Sequence, residues 1–198
     1  MTAAGRLPVN KGNREHNRVT GYVRGSTMDV AKQLLVEHSR KNTERIVRWI
    51  GHDPARVKVV MDVFLGNDPL LTQRAAWVVG VLADDRGYLL TPWLAKLMKK
   101  MREPGVHDAA RRNVVRALQF VDIPPRLLGE VATVCFDELA SPVSPIAVRA
   151  CAMTVLERVV REVPELAREL RLIIEQHLPY GTGAFQSRAK RVLASLPH

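Results

Sequence analysis

With 198 residues, 46% apolar and only 5% aromatic, the chain has material for one ordinary core or one short repeat array. No apolar run approaches the roughly 18 residues that span a membrane, and residues 1–27 hold no hydrophobic signal core, so a cytoplasmic protein with no membrane partner is expected. The net charge of +10 divides into about +4 over residues 1–27 and about +6 over the rest, which invites a nucleic-acid or phospholipid-surface reading or merely an Arg-rich solvated surface.

Residues 1–27 are basic and rich in Gly and Asn, with no helical period. They read as a disordered arm, either a leader or a functional basic segment, ahead of a folded domain over 28–198. From Met28 the pattern is helix, short turn, helix. Met28–Ser39 and Asn42–Gly51 form a first pair. Asp53-Pro54 opens a helix to Leu65, because an Asp N-cap with Pro at the first helical position is a start signal. Asn67-Asp68-Pro69 repeats the device and opens a helix to about Ala83. The next pair covers about Tyr88–Met101 and His107–Val121. Pro124-Pro125 opens a helix to Leu139, and Ser144-Pro145 one to Val163. The last pair is Pro164–Leu178 and Ala184–Leu196. No segment alternates as a strand would.

Apolar residues recur at i, i+3, i+4 and i+7, as in Val148, Cys151, Ala152, Val155, Leu156, Val159 and Val163. A helix with one oily stripe cannot bury it alone, so the segments must stack. The expected fold is all-α, an α-α superhelix of about five helix pairs. Cys135 and Cys151 lie on separate apolar helices without CxxC spacing and read as reduced core residues.

The second helices of successive pairs share a local pattern: Gln73-Arg74-Ala75-Ala76-Trp77, Ala110-Arg111-Arg112-Asn113-Val114, Val148-Arg149-Ala150-Cys151-Ala152 and Ser187-Arg188-Ala189-Lys190-Arg191. The arginines are spaced by 37, 38 and 39 residues, just under the roughly 40–47 of HEAT and armadillo units. On these residues the chain resembles the HEAT-repeat class, in which an Asp near the turn precedes an Arg by six positions. Asp68 and Arg74 keep that spacing; the other units keep the Arg and have Gly105, Val143 and Thr182 in place of the Asp. The stretches Glu37-His38-Ser39, Thr72-Gln73-Arg74-Ala75-Ala76-Trp77, His107-Asp108-Ala109 and Gln176-His177-Leu178-Pro179-Tyr180 further resemble a small bacterial family of HEAT-like proteins. Its members sometimes carry the label adenylosuccinate lyase, but the Ser-rich signature loop of that lyase is absent here.

Several residues are candidates for a partner-binding face. Arg74, Arg111, Arg149 and Arg188 form either a basic ladder for phosphates or, as the HEAT resemblance implies, staples that hold adjacent turns together. Asp108, Arg112, Arg116 and Gln119 fall on one face of their helix, either a groove stripe that grips carboxylate or phosphate or a solvated face with an Asp108–Arg112 pair. Trp77 is either a core plug or an exposed anchor. His38 and His107 lack ligand spacing and read as capping or hydrogen-bonded histidines, so no metal or cofactor is expected.

Three functions remain in view. The first is a non-catalytic scaffold that binds a protein or peptide on its concave face through Arg74, Trp77, His107, Asp108, Arg112, Arg116, Gln119, Arg149 and Arg188. The second is nucleic-acid backbone binding through a basic groove. The HEAT-like alkylpurine glycosylases carry a Trp and an Asp one turn apart, whereas Val81 follows Trp77 and Pro104 precedes Asp108 at that spacing, so glycosylase activity is not expected. The third, an enzyme built on His107 and Asp108, has the least support.

Overall fold

A computed structural model describes residues 28–197; the arm expected over residues 1–27 lies outside the described residues. Among these, ten α-helices follow one another and no strand occurs. They pair as α1 (Val30–Val36) with α2 (Arg40–Ile50), α3 (Pro54–Phe64) with α4 (Pro69–Arg86), α5 (Leu94–Met101) with α6 (Asp108–Leu118), α7 (Leu128–Ala140) with α8 (Ile146–Glu162), and α9 (Ala167–His177) with α10 (Gly183–Ser195). Each first helix lies on the second helix of its own pair. The second helices form a continuous row in which α2 packs on α4, α4 on α6, α6 on α8 and α8 on α10. This is the α-α superhelix of five pairs that the repeat predicts. No described helix is long and apolar enough to cross a membrane.

Short polar side chains start many of these helices by accepting orphan backbone N–H groups. Asp29, Ser39, Asp53, Asp68 and Thr182 accept from Lys32, Asn42, Ala55, Leu71 and Phe185 respectively. Ser144 departs from expectation. Its hydroxyl donates to Glu138 Oε2 at 2.6 Å instead of capping α8, and Pro145 occupies the N-cap position. The helix expected to open at Tyr88 opens later: residues 87–89 and 91–93 are 3-10 turns, and the α-helix begins at Leu94. Pro92 offers no N–H for an intrahelical bond and disfavours helical geometry at Thr91. Pro125 and Pro164 head 3-10 turns for a related reason.

One buried stripe per helix is too narrow a description for α4. Thr72, Ala75, Ala76, Val78, Val79, Gly80, Leu82 and Ala83 are all buried, because α2, α3 and α6 close on it from three sides. Small residues permit that approach. A Cβ at Gly80 would collide with the amide of Asn113 on α6, so only glycine lets the two helices meet there.

Cations bind the repeats together at their ends. Arg86 donates to the Val47 carbonyl at 3.1 Å, and Arg158 to those of Leu118 and Val121 at 2.7 and 3.1 Å. Each guanidinium thereby satisfies carbonyls at or just beyond the C-terminal end of the preceding second helix, where the helix dipole favours positive charge. Lys100, only 7% exposed, donates to the Gly66 carbonyl at 2.8 Å and pairs with Glu103.

Candidate functional site

Trp77 is half-buried on α4 and is not a plug of the core. The His38 ring, from the turn between α1 and α2, meets it edge-on with centroids 5.1 Å apart. Together with Gln73, Ala109, Arg112, Asn113 and Arg116 these residues line an open recess of about 370 Å³ between α4 and α6. The helical period explains the lining: Gln73 and Trp77 are one turn apart on α4, and Ala109, Arg112 and Arg116 share a face of α6.

The two recess arginines differ in occupancy. Arg116 Nη2 pairs with both carboxylate oxygens of Asp84, at 2.6 and 2.9 Å. Arg112 is exposed and has no hydrogen-bond or ion-pair partner among the described residues. Gln119 donates to the Arg116 carbonyl at 3.2 Å and its side chain also bonds Cys151 on α8. Burial pushes the Cys151 thiol up, against the pull of Arg188, the Gln119 bond, Arg116 and Arg112. Three guanidiniums, from α6 and α10, therefore act on one point of α8. Cys151 is half-buried and packs against the core from its edge. Cys135 is fully buried, and burial, with help from Glu138 and Cys151, drives its thiol far above the ordinary range, so it is an inert proton-bearing group.

The other candidates are engaged elsewhere. Arg74 Nη1 donates to the Leu34 carbonyl at 2.7 Å. Arg111 grips buried Glu138 with Nε and Nη2 at 2.8–3.0 Å and also reaches Ser144. Arg149 Nε donates to the Leu139 carbonyl at 3.0 Å and its guanidinium lies over the Phe185 ring at 5.3 Å. Its Nη2 is buried without a hydrogen bond among the described residues, and burial lowers its affinity for the proton. Arg188 Nη1 donates to Thr154 Oγ1 at 2.6 Å. His107 caps α6, its Nδ1 accepting from Ala109 N–H at 3.0 Å. Asp108 pairs with Arg111 at 3.3 Å, not with Arg112 as i, i+4 spacing suggests. Only Trp77, Arg112 and Arg116 of the sequence candidates share the recess. His38, Gln73, Ala109 and Asn113 join them there unanticipated. Gln73 was open to prediction as the residue one turn before Trp77. His38 carried no such signal, because it meets Trp77 across 39 residues of chain.

Charge is unevenly distributed over the two layers. The five second helices carry fifteen Lys and Arg against six Asp and Glu, whereas the five first helices carry eight against six. On α2, Lys41, Arg45 and Arg48 fall at i, i+4 and i+7 on its exposed side without partners among the described residues. Lys190 and Arg191 are likewise exposed on α10. Between these ends α4 is neutral, with exposed Asp84 and Asp85 offsetting Arg74 and Arg86.

A family model described as a HEAT repeat domain matches residues 30–196. Comparison with curated proteins and with solved structures gave no match.

Proposed function

The chain belongs to the HEAT-repeat family, a class of helical scaffolds that commonly bind proteins and are generally not enzymes, and we propose that it is a non-catalytic scaffold whose second-helix row, the concave face of such a superhelix, binds a protein or peptide partner. The observation that carries this reading is the recess between α4 and α6. It combines a half-buried Trp, a binding-anchor residue type, with an unpaired Arg at its rim. The excess positive charge of the second helices adds long-range attraction for an acidic partner and so raises the rate of encounter.

The test is a crosslinking pull-down from the native host with wild-type protein and with Trp77→Ala/Arg112→Glu, both checked for helicity. A stoichiometric protein recovered by the first and lost by the second supports the scaffold. Equal recovery by both removes this face from the interaction.

A second reading, nucleic-acid backbone binding, draws on the same charge excess. Against it stands the neutral stretch at α4, where Asp84 and Asp85 interrupt the positive run that a phosphate backbone follows. Gel shifts with duplex and single-stranded oligonucleotides across a salt series separate the two: retention that weakens steeply with salt favours nucleic acid.

A further inference from the structure

Resting on the scaffold reading, we infer that the recess between α4 and α6 selects an acidic peptide segment, seating one carboxylate on Arg112 and a neighbouring apolar side chain on the Trp77 ring. The size fits: about 370 Å³ holds one or two side chains and lies at the lower end of ligand-site volumes. The chemistry fits as well. A guanidinium presents parallel donors that match the two oxygens of a carboxylate, and Arg112 has no partner among the described residues to displace. Trp77 is held from one side by the edge of His38. That contact restrains the ring before a ligand arrives, which lowers the ordering cost of binding.

Charge balance decides which anion belongs there. Arg116 is already neutralised by both oxygens of Asp84, so the recess offers one uncompensated positive charge at Arg112. One carboxylate balances it. A run of phosphodiesters would bring several negative charges to a recess whose lining offers only the one unpaired guanidinium. The Lys41, Arg45 and Arg48 stripe on α2 and the Lys190–Arg191 pair on α10 serve further acidic residues along the row without shaping a pocket.

The test uses fluorescence anisotropy with the full chain and a labelled peptide, acetyl-Asp-Glu-Leu-Glu-Asp-amide, beside its Asn/Gln isostere and a twelve-residue oligothymidylate. The acidic peptide is expected to bind and the isostere to fail. Arg112→Gln, an exposed substitution that leaves the core intact, should weaken the peptide by about tenfold, the scale of one lost charge-assisted fork. Arg112→Lys should restore part of that loss, and Lys190→Gln/Arg191→Gln should have less than about a twofold effect, as rim charges do. Peptide binding that is indifferent to Arg112→Gln but lost in the α10 variant would overturn the recess while leaving the scaffold standing. Binding of oligothymidylate alone would overturn both.

Discussion

Arg111 holds two repeats together through a single guanidinium. Its guanidinium ties α6 to Glu138 on α7 and to Ser144 at the entry of α8, so three helices and two repeats meet at one carboxylate. The Glu138 side chain is 8% exposed and that of Arg111 25%. A carboxylate so placed is tolerated only while its partners remain, because its desolvation has to be offset by bonds to the charged form. Arg111→Ala should therefore destabilise the fold by about 3 kcal/mol, the lower end for breaking a buried pair since Arg111 keeps some solvent. Arg111→Met/Glu138→Leu, which removes both charges, should recover most of the loss in urea melts; a double variant as weak as the single would show that shape, not charge, matters here. His177 makes a second residue-level prediction. Burial first, and the Arg149 charge second, hold its imidazolium below the ordinary 6.5, against a hydrogen bond to the Ala140 backbone. The unfolded chain then binds this proton at higher pH than the folded one, so stability rises with pH across that interval. The group costs nothing above about pH 6.5 and destabilises increasingly as the solution is acidified below it. Thermal midpoints should fall between pH 7.5 and 5.5, and His177→Gln should flatten that fall; an unchanged slope would remove His177 as its source.

At the level of elements, the seam between α4 and α6 is set by the absence of a side chain. Gly80→Ala has two opposed effects: alanine favours the helix by about 1 kcal/mol over glycine, while forcing a Cβ into the Asn113 amide costs about 1–3 kcal/mol of overpacking. Asn113 is 5% exposed and anchored to the Ala109 carbonyl at 2.8 Å, so it yields poorly, and the net result should be destabilisation. Adding Asn113→Ala opens the space and should return the protein to near wild-type stability in denaturant titrations. If Gly80→Ala alone is stabilising, the helices separate more easily than this contact implies. The helices themselves were legible from local chemistry: Asp53-Pro54 and Asp68-Pro69 mark their starts, and apolar periodicity marks their extent. The errors fall where a side chain takes a partner other than the one its local spacing suggests. Ser144 looks like an N-cap from its place before a proline, yet Glu138 takes its hydroxyl. Asp108 sits at i, i+4 from Arg112, yet Arg111 lies nearer. The breadth of burial on α4 was likewise invisible, since periodicity reports one stripe and not how many neighbours close on a helix of small residues.

At the scale of the molecule, the candidate site was only half legible. Trp77 and Arg112 were singled out by residue type, but their meeting with His38 depends on the offset between the first and second pairs, which no local pattern encodes. The same offset governs stability. In a stacked array each pair is held by its neighbours, and the energy is approximately a sum of unit and interface terms. The interior helices α4, α6 and α8 have a second helix on both sides, whereas α10 is followed by no further described helix. Its links to the rest include Arg188 to Thr154, Ser195 to Glu157, Gln186 to the Leu178 carbonyl, Arg149 over the Phe185 ring and the buried Phe185, Ala189 and Val192. The α9–α10 pair should consequently open on its own, at a lower free energy than the α4–α6 centre. Native-state hydrogen exchange at increasing denaturant tests this: α10 amides should merge with the global unfolding isotherm last, if at all, while those of α4 and α6 should report the global value throughout. The recess lies at that slow centre, so a ligand bound there should raise protection of α4 and α6 and leave the independent opening of α10 unchanged. A ligand that instead slows α10 exchange would have to span the row to its end, and uniform protection in the free protein would mean that the ten helices unfold as one block rather than as a chain of pairs.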